Sequence, residues 1–464
     1  MMNFKKLLSP LALRLAALTV TAIACILPAA AQPTLIPAPP QEQPVLITGA
    51  TIHIGNGEVI EQGAVLFRNG KIVAVGPAGT VTAASARSAT GVSNAAGSDK
   101  TADVLVIEAE GKHVYPGFIA CHTIMGLTEI EAVRATRDFN ETGTLNPNVR
   151  AIVAYAADSY VPATVRSNGI LLAQVAPQGG LISGTSSVVT LDAWNWEDAA
   201  YKMDGGLWVN WPGSSVSPAS TEDQQRKQHE QAEKSLSALK DFFSQARAYD
   251  ELSEPAVKNL RFEAVKGIFT GKKRLFIRAR RAKDILAAVN WGRSVNVMPV
   301  IVGADEAHLV AGFLKENKVS VILGDSHALP TRDDDDVDLP YKRAALLKEA
   351  GVTFCISTGG YWQVRNLPFM AGTTSAYGLT REEAVTAVTL DPARILGIDA
   401  TAGSLEAGKD ATLFISAGDA LDMRTNQVEG AFIQGRRIDL DNKQKQLYRK
   451  YMSKYGLEFS IFPP

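Results

Sequence analysis

The sequence is short of the residues that most often carry chemistry. Its 464 residues include three cysteines and six histidines. It has no Gly-x-Ser-x-Gly elbow to raise a serine nucleophile and no glycine-rich phosphate loop. Charge of either sign is not in excess: the net charge is −1 and no basic stripe stands out, which removes any reason to expect nucleic acid. The acidic run Asp333-Asp334-Asp335-Asp336 lacks the Asp-x-Asp-x-Asp-Gly spacing of a calcium loop and reads as a solvated loop. The longest apolar run, Leu15 to Leu27, falls short of the roughly 20 residues a membrane span needs. Preceded by Lys5, Lys6 and Arg14 and ended by Ala29-Ala30-Ala31, it reads as a secretory signal cleaved before Gln32. The expected product is periplasmic or secreted, with no membrane anchor. Losing those three cations moves the net charge from −1 to −4. Cys25 offers lipoprotein processing as an alternative, with Ala22 a poor match to the leucine such signals prefer.

The mature chain then keeps only Cys121 and Cys355. An oxidising compartment invites a disulfide. Strand parity argues against one. If His122 faces a barrel interior, Cys121 faces outward, whereas Cys355 shares parity with an inward Gly359; two buried free thiols are the expectation.

The length calls for one large domain and a smaller one. After the signal (1–31), a proline-rich linker occupies 32–44. Short strands follow over 45–113, with Asn69-Gly70 as a two-residue hairpin turn and an Ala/Ser/Thr/Gly-rich flexible insertion at about 80–102. Between 114 and 400 strand and helix patterns alternate, the signature of βαβ units and a parallel sheet. A long charged helix spans Thr221 to Leu252, and Thr380 with Glu383 forms a capping box. Strands return over 401–440, and 441–464 reads as a helical tail.

Two stretches carry a resemblance. Tyr115-Pro116-Gly117-Phe118-Ile119-Ala120-Cys121-His122-Thr123-Ile124-Met125-Gly126 is a buried strand opened by a Pro-Gly turn. It resembles the first barrel strand of the amidohydrolase superfamily, where Asp-x-His-x-His follows the same frame. Thr389-Leu390-Asp391-Pro392-Ala393-Arg394-Ile395-Leu396-Gly397 and Gly403 to Leu413 are similar to amidohydrolases of the imidazolonepropionase-like group. The resemblance implies an α/β fold: a (β/α)8 TIM-type barrel plus a small β-sandwich built from N- and C-terminal segments. It implies hydrolysis of C–N bonds in non-peptide amides or cyclic amides. In that family two metals activate a water, and an aspartate shuttles its proton.

The same resemblance locates the ligands, and most positions are changed. His122 matches the first histidine; Ile124 stands at the second and Ala120 at the aspartate. Arg278 occupies the strand-5 histidine position, Gly303 the strand-6 one, and Gly359 the place of the strand-8 aspartate. No strand-4 lysine can be placed. A zinc site needs at least three protein ligands, and this set supplies one. The usual binuclear centre is therefore not expected. A single zinc at a rearranged site of His122, Asp325 and His327, with Asp305 or Glu306, is the alternative. The guanidinium of Arg278 should point into the old metal space and need an anion, either Asp325 or Asp305 or a ligand carboxylate. The catalytic candidates are thus His122, Arg278, Asp325 and His327. Trp194, Trp196, Trp208 and Trp211 read as core packing or as a pocket wall near the mouth. His53, His113 and His229 read as structural, and His308 as the start of a helix. The partner expected is a small-molecule substrate or ligand. A homo-oligomer is a further expectation, and the alternative to catalysis is a barrel that binds a small carboxylate-type ligand or pairs with an active homologue.

Overall fold

The computed structural model describes residues 36–82, 104–213, 220–252, 255 and 257–457. The expected signal and nearly all of the expected insertion lie outside them. The proline-rich segment does not hang free where it is described. Gln41 donates to the Phe67 carbonyl and accepts from the Gly70 amide, and the Ala38 amide donates to Asp192.

The first five strands are β1 (Val45–His53), β2 (Val59–Arg68), β3 (Lys71–Pro77), β4 (Leu105–Glu108) and β5 (His113–Pro116). Asn69 and Gly70, at φ 51° and 77°, make the turn between β2 and β3; this left-handed pair is what an Asn-Gly hairpin requires. β1 changes neighbours along its length. Val45 to Thr48 pair with β4, and Thr51 and Ile52 pair with β5.

Eight strands then form the barrel sheet: β6 (Phe118–Thr123), β7 (Ile170–Val175), β8 (Ile182–Thr190), β9 (Ala200–Asn210), β10 (Arg274–Ala279), β11 (Pro299–Gly303), β12 (Val321–Leu323) and β13 (Phe354–Ile356). They lie side by side in chain order. The parallel alternation breaks once. β8 is antiparallel to both β7 and β9, because six residues cannot house a crossover helix. β6 and β13 end the sheet order, and the seam between them is spanned by other means. Ile119 N donates to Val388 O at 2.9 Å, Ile356 N donates to Ala387 O at 3.0 Å, and the Ser357 hydroxyl donates to Cys121 O.

β14 (Leu413–Ser416), β15 (Val428–Ile433) and β16 (Arg436–Arg437) return to the first sheet, where β14 pairs with β5. The whole is an α/β protein: a nearly closed eight-stranded barrel with a separate sheet from both ends of the chain. The helix Glu222–Asp250 carries a Thr221–Gln224 capping box, Arg381–Thr386 carries the Thr380–Glu383 box, and Lys443–Tyr455 forms the C-terminal helix.

The barrel interior is filled by Ile119, Cys121, Leu172, Val188, Trp208, Phe276, Val300, Val302, Ile322 and Cys355, closed below by Ala393, Ile395 and Leu396. Cys121 and Cys355 are buried and free, as expected, but against strand parity both face this interior. Between the Ala120–Ala173 and Thr123–Val175 pairs β6 has one residue more than β7, and His122 sits at φ 55°. That bulge turns two consecutive side chains, Cys121 and His122, toward the same side.

Candidate functional site

The site lies at the end of the barrel where the parallel strands finish, the functional face of such barrels. The β6 bulge aims His122 into it. The His122 ring stacks on Trp208 with centroids 5.0 Å apart, and its backbone amide donates to Gln174 Oε1. Trp208, wholly buried on β9, stacks on Phe276 at 4.8 Å and forms a floor of three parallel rings. The guanidinium of Arg278, on β10, lies 4.3 Å over the Trp208 ring.

Four neutral acceptors hold Arg278. Its Nε donates to His122 Nε2 at 3.1 Å, Nη1 to Asn210 Oδ1 at 3.1 Å and Ser183 Oγ at 3.4 Å, and Nη2 to the Pro177 carbonyl at 2.8 Å. Asn210 is in turn fixed by donating to the carbonyls of Gly179 and Gly180 and to Ser183 Oγ. Gly179 has φ 77°, and a Cβ there would stand 1.8 Å from Asn140 Oδ1, so this loop admits only glycine at that point.

Burial pulls the Arg278 pKa down to about 9, which leaves it charged at neutral pH. Burial, with the Arg278 charge second, lowers that of His122 to about 3, so the ring is neutral and its Nε2 lone pair is free to accept. Both side chains keep partial solvent access.

The other expected residues do not join them. Asp305 is bound by Arg280 at 2.5 Å and Arg343 at 2.8 Å and does not partner Arg278. Glu306 accepts from the Ala282 amide at the start of a helix. Asp325 does not pair with Arg278 either; its Oδ1 is buried without a hydrogen bond. His327 is exposed and bonds Thr373 Oγ1 at 2.7 Å. Ile124 packs in the apolar layer outside the interior. The strand-4 position falls on β9, whose only lysine, Lys202, bonds the Leu396 and Gly397 carbonyls at the closed end.

A zinc pair does not fit this donor set. The Nε2 of His122 already accepts from a cation. Among the described residues no group of three or more His, Cys, Asp or Glu side chains could hold a metal ion, so the rearranged single-zinc site is not assembled either. Gly303, at φ 90°, occupies a backbone region a histidine would enter only under strain. A Cβ at Gly359 would stand 3.2 Å from His122 Cε1, so an aspartate there would press on the ring in its present pose.

The four tryptophans divide between core packing, which holds for Trp208 and Trp211, and positions away from the site. Trp194 is 68% exposed, Trp196 lies near Arg150, and Trp211 packs on Trp291; only Trp208 serves the site. His53 and His113 bond each other at 3.0 Å away from the barrel mouth, with His53 on Glu382. Asn210, Ser183 and Pro177 were not read from the sequence. They come from the antiparallel excursion, where no motif marks them.

Residues 308–438 match the amidohydrolase family. The chain is 25% identical over 396 residues to imidazolonepropionase of Symbiobacterium thermophilum, covering 77% of this chain and 84% of that one. Among solved structures, an amidohydrolase from Thermotoga maritima superposes with TM-score 0.71 at 24% identity, over 85% of this chain and 99% of that one. A zinc-bound adenosine deaminase from Xanthomonas campestris gives 0.52 at 16% identity, over 90% and 99%.

Proposed function

We propose that this chain, an amidohydrolase-superfamily barrel, takes a small molecule at its barrel mouth without the paired metal ions with which the superfamily cleaves C–N bonds. The similarity to imidazolonepropionase supports a hydrolase lineage and points to amide or cyclic amide compounds as the class to screen. One observation carries the metal-free reading. Arg278 stands at the position where the resemblance puts a metal-ligating histidine, and it donates to His122, the one matching ligand, so the site holds a fixed positive charge of its own. A guanidinium can polarise or hold an anionic or carbonyl oxygen, but it does not turn water into a hydroxide at neutral pH as zinc does. Binding is therefore the activity the site supports best. Elemental analysis of the dialysed full-length protein is expected to give less than one transition metal per chain. Hydrolysis of a panel of amides and cyclic amides should not respond to added zinc or to chelator. Two equivalents of zinc, or zinc-dependent turnover, would overturn this reading.

A further inference from the structure

Arg278 is charged, largely withdrawn from water, and in contact with no carboxylate among the described residues. All four of its partners are neutral. Asp305 is committed to Arg280 and Arg343, Asp204 to Arg150, and Asp192 to Arg166 and Arg436, and Asp325, whose Oδ1 has no hydrogen-bond partner, does not reach Arg278. A cation taken from water without a counter-charge is a standing cost that an anion would remove. We propose that the missing partner is the carboxylate of a small monocarboxylate ligand, held on the outer edge of the Arg278 guanidinium; the inference rests on the metal-free reading above.

Three features choose a carboxylate. First, a guanidinium has five N–H donors, and here one Nη2 donor is unengaged while the Nη1 bond to Ser183 is long at 3.4 Å. A donor from each Nη atom makes a fork that a planar carboxylate matches. Second, the site carries a single positive charge. His122 is kept neutral, so a monoanion balances the mouth, whereas a dianion, the main form of phosphate at about pH 8, would leave a negative charge over. Third, Trp208 beneath and the Asn210–Pro177 bonds beside fix the guanidinium plane before the ligand arrives, which lowers the entropy lost on binding.

Thermal shift and calorimetry on the full-length protein test this with acetate, propionate and N-acetylglycine, each against its neutral amide, and with inorganic phosphate. The carboxylates should bind and raise the melting temperature, while the amides and phosphate should not. Arg278→Gln should melt no lower than wild type, because it removes an uncompensated cation from a neutral cage. It should bind the carboxylates on the order of 30-fold more weakly or worse. Arg278→Lys keeps the charge without the fork and should fall between the two. If Arg278→Gln does not fold, the wild-type protein still decides. Its response to each carboxylate against the matching amide and against phosphate depends on no variant. No carboxylate response in wild type, an equal response to the amides or to phosphate alone, or unchanged affinity in a folded Arg278→Gln would overturn the proposal. Zinc content separates the two readings: a zinc-free protein indifferent to carboxylates overturns this inference alone.

Discussion

His122 lies between an indole and a guanidinium, and the pH dependence of the fold follows from that setting. In the unfolded chain its imidazole takes a proton near pH 6.5; in the folded protein burial first, and the Arg278 charge second, hold it neutral down to about pH 3. Between those values the unfolded state binds a proton the native state refuses. The contribution is therefore fully present above pH 6.5 and is lost as the pH falls through that window. At 1.36 kcal/mol per pKa unit, going from pH 7 to pH 5 should remove about 2 kcal/mol. Urea denaturation at both pH values should show that loss in wild type and not in His122→Gln; identical losses in the two would sink the account. The sequence made His122, Arg278, Gly303 and Gly359 legible, because each sits at a fixed offset in a strand that can be recognised by its flanks. It did not show Trp208 as the floor or Asn210 as a clamp. Their roles depend on which strand lies next to which. Nor did it show that Cys121 points inward, since alternation assumes a regular strand and the positive φ of His122 breaks it.

The strand elements were readable from alternation and turn residues wherever they were uniform. β9 was not, because Asp204, Gly205 and Gly206 interrupt its pattern and Asp204 adopts φ 52°. The direction of β8 is not legible in the sequence, because direction is set by the length of the connection and not by composition. The antiparallel pair has an energetic consequence at its far end. Asp192, just beyond β8, accepts from Arg166 at 2.5 Å, from Arg436 at 3.0 Å and from the Ala38 amide at 2.9 Å. A single 5%-exposed carboxylate thus fastens the helix Tyr160–Arg166, β16 and the proline-rich segment. Asp192→Asn would leave the buried Arg166 with no anion. The expected destabilisation is about 3–5 kcal/mol by chemical denaturation. A change under about 1 kcal/mol would mean that solvent reaches Arg166 and replaces the pair.

At the scale of the molecule, the two sheets were legible as fold class because both termini read as strands around a long alternating middle. How the barrel is closed was not, since no local pattern announces it. The last strand does not meet the first; the carbonyls of Ala387 and Val388 receive the amides of both. The order of synthesis gives this a consequence. When β13 leaves the ribosome all eight strands exist, yet the piece that joins the ends follows some thirty residues later. Until then the nascent chain presents two open strand edges, the geometry most given to pairing with other chains. A chain stopped after Thr380 should therefore aggregate and show no cooperative melting, whereas the full chain should stay in solution and melt in a sharp transition. A soluble, cooperatively melting truncate would place closure elsewhere. Translation of this protein thus includes an interval in which it is complete in strands but still open, and that interval is where a chaperone would have to act.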